Sequence, residues 1–211
     1  MADFTFFHNP MSRGGIVRWA LAEVGADYET ALVDWAAKPQ GLLDANPMGK
    51  VPTLVHHHDG HDHVVTEAAA ICHYLAETHI QAGLLPDAHE KASYFRWLFF
   101  AAGPVEAAIT ASSMGWEVPQ DKVGMAGFGT YELTVDTLDG WLSEHDYVCG
   151  ERFTMADVYV GAQVGWGLMF KSLPDRHSFT AYDARLKARD ANRAAHKADG
   201  DLMSEMQQAA G

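Results

Sequence analysis

The stretch Asn46-Pro47-Met48-Gly49-Lys50-Val51-Pro52-Thr53-Leu54-Val55 decides how the rest of the chain is interpreted. Asn-Pro and the glycine after it end any preceding helix, and the β-branched run from Val51 predicts a strand whose entry carries Pro52. A cis Val51-Pro52 bond costs only about 0.5–1 kcal/mol more than a trans bond, and it would turn the N–H and C=O of Val51 away from any sheet partner. These two groups are then available to pair with the backbone of a ligand.

A second stretch, Val64-Val65-Thr66-Glu67-Ala68-Ala69-Ala70-Ile71, predicts a strand followed directly by a helix. Glu67 stands at the junction. The free N–H groups of the first helical turn and the positive end of the helix dipole attract an anion there. The two stretches together predict a cradle for a small acidic peptide.

Length, charge and cysteine content narrow the class of protein. A chain of 211 residues is long for one domain and comfortable for two small ones. Its net charge of −13, from 15 basic and 28 acidic residues, argues against nucleic acid or an anionic membrane as a partner. Cys72 and Cys149 lie outside any C-x-x-C pattern, which indicates the reduced cytoplasm. The start lacks a basic segment and the uncharged run 158–170 is too short to span a bilayer, so no targeting or transmembrane segment is predicted.

The first 80 residues predict alternating strands and helices. Phe4-Thr5-Phe6-Phe7 is β-prone, and apolar residues then recur at helical spacing up to Gly25. Residues 28–33 predict a second strand and 36–45 a short helix, before the two stretches quoted above. This pattern alone predicts a small α/β domain.

Strand signals stop after a linker at 81–87, and the remainder predicts helices. Gly103-Pro104 should bend one long helix rather than end it, because the apolar pattern continues beyond it. Thr154 is predicted to cap a later helix with Asp157 at the third helical position, the spacing of a capping box. Residues 131–142 predict another helix, and the tail predicts one or two more.

These residues resemble the cytosolic glutathione transferases. The first stretch is similar to the family's N-P-x-G-x-V-P-x-L segment, the second to its E-S-x-A-I segment, and Thr154 with Asp157 to its T-x-x-D box. The resemblance implies an α/β plus all-α protein. A thioredoxin-like domain over 1–80 would bind glutathione, and after the linker at 81–87 an all-α helical bundle domain over 88–211 would form the pocket for an electrophile.

The resemblance also implies a set of glutathione-binding residues. Val51, ahead of Pro52, would pair its backbone with the ligand, and Glu67 would hold the α-amino group of the γ-glutamyl residue. Ala68 stands where the family has a serine, so only the backbone N–H remains for the γ-glutamyl carboxylate. Lys50 would meet the glycyl carboxylate unless it is simply solvated, and the alternatives for that task are Lys38 and Gln40.

Ser12 and Arg13 are the candidates for thiol activation. They lie in the loop that leads into the first helix, where free N–H groups stabilise a nearby anion. The resemblance implies a hydrogen bond from Ser, Tyr or Cys to the glutathione sulfur, and Ser12 is the nearest hydroxyl. Ser12 is equally typical of a helix cap. In that case Arg13 or a loop N–H would stabilise the sulfur.

Three further features have alternative interpretations. The run from His56 to His63 contains imidazole and carboxylate groups that bind zinc or nickel, but Asp59-Gly60 predicts a hairpin turn with an exposed tip, and we expect no metal. Cys72 is expected to fill the core rather than act as a nucleophile. Four residues are candidates for an apolar pocket wall or for ordinary core: Met11, Met114, Trp116 and Trp166.

The sequence therefore predicts a cytoplasmic glutathione S-transferase that attacks small apolar electrophiles with the glutathione thiolate. Glutathione is the co-substrate and no other cofactor is expected. Two alternatives remain: a non-catalytic protein of the same fold that binds glutathione or a partner, and a glutathione-dependent isomerase, dehalogenase or peroxidase. No nucleic-acid or membrane partner is expected, and the resemblance implies a homodimer.

Overall fold

The computed structural model describes residues 2–209, which form two compact units. The first unit runs to Gly83 and takes in the chain again from Ala188 onward. The second comprises Leu84–Lys187.

The first unit contains a four-stranded mixed sheet of order β2-β1-β3-β4. Its strands are β1 (Phe4–His8), β2 (Tyr28–Leu32), β3 (Thr53–His58) and β4 (His61–Thr66). β2 runs parallel to β1, and the β1–β3 and β3–β4 pairs are antiparallel. The helices are α1 (Gly14–Val24), α2 (Gln40–Ala45) and α3 (Ala68–Thr78). This β-α-β-α-β-β-α order confirms the predicted thioredoxin-like domain.

Local chemistry explains where these elements begin and end. α1 ends at Gly25, which takes the left-handed conformation (φ 67°) that glycine adopts without a steric penalty. α2 is shorter than the predicted helix over 36–45, because Pro39 restricts the residue before it to extended conformations. Beside the sheet, Phe7, Val33, Leu42 and Val55 form a buried apolar cluster.

The second unit is helical, as predicted. It contains α4 (Lys91–Phe100), α5 (Glu106–Ser113), α6 (Tyr131–Glu144), α7 (Met155–Met169) and α8 (His177–Lys187). A π-helical turn, Ala101–Val105, joins α4 to α5 and contains Pro104. Proline has no N–H to donate, and the wider turn absorbs that loss, so the long helix bends and continues.

The predicted cap of α7 is present. Thr154 occupies the N-cap position, and its backbone N–H donates to Asp157 Oδ2 at 2.8 Å. Both residues are fully buried. The cap is therefore part of the core of this unit rather than a surface feature.

The last helix, α9 (Asp190–Ala209), differs from the predicted division of the chain. Residues from Ala188 onward belong to the first unit, whereas the sequence placed 88–211 in one all-α domain. α9 packs against α1, and Arg189 donates two hydrogen bonds of 2.7 Å to the Glu23 carboxylate. An amphipathic tail shows that one face must be buried, but not which partner buries it. No helix within residues 2–209 is long and apolar enough to cross a membrane.

Candidate active site

The sheet register brings the three predicted site segments to one end of the first unit. One row of paired residues crosses the sheet there, formed by Phe7, Thr53 and Thr66. At this row β1 is about to end, β3 begins and β4 ends. The segments that carry Ser12, Val51 and Glu67 leave the sheet at that end, although they are far apart in sequence.

The Ser12 hydroxyl is held within its own loop. It donates a hydrogen bond of 2.6 Å to the Asn9 carbonyl and accepts one of 3.0 Å from the N–H of Gly14. The side chain is half-buried. Ser12 therefore satisfies one of the free N–H groups at the start of α1. The hydroxyl can donate to a ligand only if its O–H bond rotates away from the Asn9 carbonyl.

The start of α1 is electrostatically suited to an anion. Arg13 occupies the N-cap position and its side chain is exposed. The first turn of α1, which lies wholly within the described residues, carries no acidic side chain. The positive end of the helix dipole is thus not neutralised by a neighbouring carboxylate.

The Val51-Pro52 bond is cis, which confirms that prediction. Asn46 holds the turn before it: its side-chain amide donates to the Lys50 carbonyl at 3.2 Å and to Thr53 Oγ1 at 3.1 Å. The backbone N–H and C=O of Val51 have no hydrogen-bond partner among residues 2–209. They are available for a ligand backbone, as the sequence predicted.

The basic side chains near this turn differ in placement. Lys50 is exposed beside Val51. Lys38 reaches across the turn, since its Nζ would lie 3.2 Å from a methyl group placed on Gly49. Gln40 donates its side-chain amide to Asp44 at 2.8 Å. Lys38 and Lys50 thus both approach this turn, whereas the Gln40 amide is already paired.

Glu67 joins β4 to α3 in an unusual backbone conformation. Its φ of 65° and ψ of 115° lie outside the common regions for a non-glycine residue, at a cost of about 1–3 kcal/mol. The Glu67 side chain is exposed, and Ala68 behind it is buried. Such strained residues are frequent at ligand sites, where the surrounding structure holds them in place. The Glu67 carboxylate and the free N–H groups of the first turn of α3 therefore belong to adjacent residues at the start of this helix.

The histidine-rich segment forms the predicted hairpin. Asp59 (φ 51°) and Gly60 (φ 76°) make its two-residue turn. His57 faces Asp62 at 2.7 Å, whereas strand pairing places four other imidazoles on one face: His56, His58, His61 and His63. The pKa of His56 is lowered by burial and by its histidine neighbours. Within the described part of the chain, no three His, Cys, Asp or Glu side chains are placed to hold a metal ion.

Neither cysteine is suited to act as a nucleophile. Cys72 is fully buried, as predicted, and burial raises its pKa far above the ordinary value. Burial also raises the pKa of Cys149 to about 11. Both thiols are therefore neutral at physiological pH, and the thiolate form is the nucleophile.

Three of the four candidate pocket residues do not fill the core, whereas Trp166 on α7 is half-buried. Met11, Met114 and Trp116 are 67%, 63% and 65% exposed, which excludes the alternative that they are ordinary core. The second unit also has a cleft of about 790 Å³, but its lining includes Asp139, Arg176 and other charged side chains. That cleft is unsuited to an apolar electrophile.

Two residues that precede Ser12, one in its loop and one at the end of β1, were missed from sequence. The Asn9 side chain donates to the Val33 carbonyl at 2.9 Å and accepts from the Met11 N–H at 2.9 Å, which shapes the loop. His8 is fully buried and contacts Asp199 of α9. Asn9-Pro10 was a visible turn signal, but the partner of His8 lies too far along the chain for any local pattern to indicate it.

Comparison with known protein families gives two matches along the chain. The family model "Glutathione S-transferase, N-terminal domain" matches residues 2–77. The model "Glutathione S-transferase, C-terminal domain" matches residues 103–188. Together they cover most of the sequence.

Individual relatives agree with the family models. Glutathione S-transferase 1 of Schizosaccharomyces pombe is 31% identical over 75% of this chain and 73% of its own. A probable maleylacetoacetate isomerase of Caenorhabditis elegans is 30% identical over 68% of this chain and 69% of its own. The structure of a sphingomonad glutathione S-transferase complexed with glutathione is 26% identical, with a TM-score of 0.73, over 93% of this chain and 98% of that one.

Proposed function

Because this chain belongs to the glutathione S-transferase family, we propose that it joins the thiolate of glutathione to small apolar electrophiles. The chain is an enzyme of that family. The observation that carries the proposed reaction is the convergence of the Ser12 loop, the unpaired Val51 backbone and Glu67 at one end of the sheet.

In this proposal the backbone and Glu67 hold glutathione, largely independently of its ionisation. The N–H and C=O of Val51, ahead of Pro52, pair with the ligand backbone. The Glu67 carboxylate holds the γ-glutamyl α-amino group, and the N–H of Ala68 donates to the neighbouring carboxylate at the start of α3. Lys50, with Lys38 beside it, neutralises the glycyl carboxylate.

Ser12 stabilises the sulfur as a thiolate. The Gly14 N–H that donates to Ser12 Oγ polarises the hydroxyl and makes it a better donor. Rotation about the Cβ–Oγ bond transfers this donor from Asn9 to the sulfur, and Arg13 adds positive charge nearby. Lowering a thiol pKa by about two units needs roughly 2.7 kcal/mol of preferential thiolate stabilisation. One charge-assisted hydrogen bond and a helix N-terminus supply that amount.

The chemical step is nucleophilic substitution. The sulfur electron pair forms the new carbon–sulfur bond, and the leaving group departs with the electrons of the bond that breaks. The thiol proton has left the sulfur before the new bond forms. Exposed apolar side chains such as Met114 and Trp116 suit an apolar co-substrate. We further infer that the protein is a cytoplasmic homodimer. Light scattering of the purified protein measures its mass and so tests whether it is a dimer.

A glutathione-dependent isomerase is the second candidate. It is favoured by the similarity to the probable maleylacetoacetate isomerase of Caenorhabditis elegans. In that reaction the thiolate adds to a carbon–carbon double bond and is later expelled, so the same sulfur-stabilising groups are needed. A third possibility, binding without turnover, is favoured by Ala68 in place of the family's serine.

Turnover assays separate these candidates. Conjugation of 1-chloro-2,4-dinitrobenzene, followed by absorbance, tests the transferase, and isomerisation of maleylacetoacetate tests the alternative. Calorimetry measures glutathione binding separately from turnover. Conjugation that depends on Ser12 and survives Ser143→Ala, a change at an exposed serine of α6, supports the proposal. Glutathione binding with neither reaction would overturn it in favour of a non-catalytic role.

A further inference from the structure

A buried histidine lies beside the Ser12 loop with one ring nitrogen unused. His8, the last residue of β1, is fully buried, and its ring stacks on Phe6 at 4.7 Å between centroids. Its Nε2 lies 2.8 Å from Oδ1 of Asp199 on α9. Its Nδ1 is buried and has no hydrogen-bond partner among residues 2–209.

The contact with Asp199 determines which nitrogen carries the proton. An ionised carboxylate only accepts hydrogen bonds, so Nε2 is the protonated nitrogen and Nδ1 has a bare lone pair. Arg18 forms an ion pair with the same carboxylate, with its Nε 2.6 Å from the same oxygen. Nδ1 is thus a hydrogen-bond acceptor without a donor among residues 2–209. Buried polar atoms of this kind are rare and need an explanation.

The unused lone pair faces the start of α1, close to the Ser12 hydroxyl. A methyl group on Gly14 would lie 2.1 Å from His8 Nδ1 and 3.0 Å from Ser12 Oγ. The two atoms therefore flank the same point above the Gly14 backbone. Because the distances of 2.1 Å and 3.0 Å are measured from one point, the two atoms are at most 5.1 Å apart, and any side chain at position 14 would clash with the imidazole.

We propose that Ser12, His8 and Asp199 form a proton relay in which Nδ1 of His8 receives the thiol proton of bound glutathione through the Ser12 hydroxyl. This inference rests on the proposed function of the site. The S–H bond breaks and leaves its electron pair on sulfur. The proton passes to Ser12 Oγ as the hydroxyl proton moves to Nδ1, and the restored hydroxyl donates to the thiolate. Asp199 and the negative charge left on the sulfur stabilise the resulting imidazolium, against the burial and the Arg18 charge that lower the His8 pKa.

The charges around His8 favour a neutral imidazole, which can accept a proton. Burial lowers the pKa of His8, Arg18 on α1 lowers it further, and Asp199 on α9 opposes both. On the β2 side, the Tyr28 hydroxyl contacts Arg18 at 3.2 Å. Neutral His8 is thus available to take a proton above its pKa, and acid protonates it in advance. The relay therefore fails as pH falls.

The first experiment uses the unaltered protein. Nitrogen-15 NMR of the histidine rings at pH 7 reports whether Nδ1 of His8 carries a proton. We expect that proton to appear when glutathione is added and not when S-methylglutathione, which has no thiol proton, is added. An Nδ1 signal that responds identically to both ligands would overturn the relay.

A variant separates the relay from a purely structural contact. His8→Gln places an amide N–H where Nε2 lies, so it keeps a donor for Asp199 while it removes the Nδ1 acceptor. We expect conjugation to fall about a hundredfold and the acid limb of the kcat/KM profile to move to higher pH, with glutathione affinity unchanged. Arg189→Gln is the matched control, because it removes the ion pair that joins the residue before α9 to Glu23 of α1 and should leave the pH profile intact.

Proton release on binding gives an independent measure. Calorimetry in buffers of different ionisation enthalpy should show that His8→Gln releases about one more proton per glutathione bound than the unaltered protein does. Equal proton release with normal binding would refute the relay and leave the proposed function standing. Failure of the unaltered protein to bind glutathione would refute both.

Discussion

The hydroxyl of Tyr182 donates a hydrogen bond of 2.9 Å to Oδ1 of Asp157, a carboxylate with no exposed surface. The same carboxylate accepts from the Val148 N–H at 2.8 Å and from the Thr154 N–H at 2.8 Å. Asp157 therefore connects the start of α7 with α8 and with the loop before α7. The capping box predicted from local spacing thus also holds three segments of the second unit together.

We predict that Asp157→Ala destabilises the protein more than Thr154→Ala does. The threonine change should cost about 1 kcal/mol, as for a typical cap. The aspartate change removes the acceptor from four buried donors, at about 1 kcal/mol or more each. Urea unfolding measures both, with exposed Asp175→Ala as the control. Equal midpoints for the Thr154 and Asp157 variants would contradict this account.

We predict that Asp157 also makes stability depend on pH. Burial raises its pKa from 3.8 to about 6, even though four hydrogen bonds oppose the shift. Between these values the folded state holds a proton that the unfolded state has lost, so this contribution to stability is complete below pH 3.8 and is lost as pH rises through 6. Subtracting the free energy of unfolding of Asp157→Asn at each pH isolates the effect. A difference that stays constant from pH 4 to pH 7 would exclude it.

We predict that Ser12→Ala separates ionisation of glutathione from its binding. The Val51 backbone and Glu67 hold the ligand in either ionisation state, whereas the hydroxyl favours only the thiolate. Losing one hydrogen bond to a charged group costs about 1.5–3 kcal/mol, hence roughly one to two units of thiol pKa and a ten- to hundredfold loss of conjugation rate. Thiolate absorbance against pH measures the shift. Superimposable titrations and an unchanged kcat would transfer the role to Arg13 or a loop N–H.

We predict that Glu67→Gln weakens glutathione binding about ten- to hundredfold, because the hydrogen bond from the α-ammonium group then goes to a neutral amide instead of a carboxylate. Calorimetry measures the Kd. Glu29→Gln, an exposed acidic residue of β2, is the control for the change in net charge. If both variants lose affinity equally, the effect is long-range electrostatics rather than a contact.

We predict that replacing His57, His58 and His61 together with asparagine leaves conjugation intact. These residues lie at the turn end of the hairpin, whereas the site segments leave the sheet from its opposite end. The assay should be repeated with a chelator and with added zinc. Turnover that requires metal, or that fails in the triple variant, would show that the hairpin belongs to the active site.

Much of the fold and part of the site follow from short-range patterns. Three local signals indicated the fold: the spacing of apolar residues in helices and strands, Gly25 after α1, and Asp59-Gly60 in the hairpin. The structure has the corresponding elements and turns where they were expected. The Asn46 segment likewise predicted the cis bond before Pro52. The boundary of α2 was wrong because Pro39 limits its neighbour more strongly than helical spacing indicated.

The sequence by itself determined the elements, their order and the residue types at the site, because conformational preferences, capping and turns act over a few residues. Tertiary structure decided that α9 joins the first unit and that Asp199 reaches His8. It also decided that the Asn9 side chain donates to the Val33 carbonyl. Buried ion pairs and packed helix faces depend on which surfaces meet after the chain has folded back on itself. No local pattern specifies an aspartate as the partner of a histidine 191 residues away.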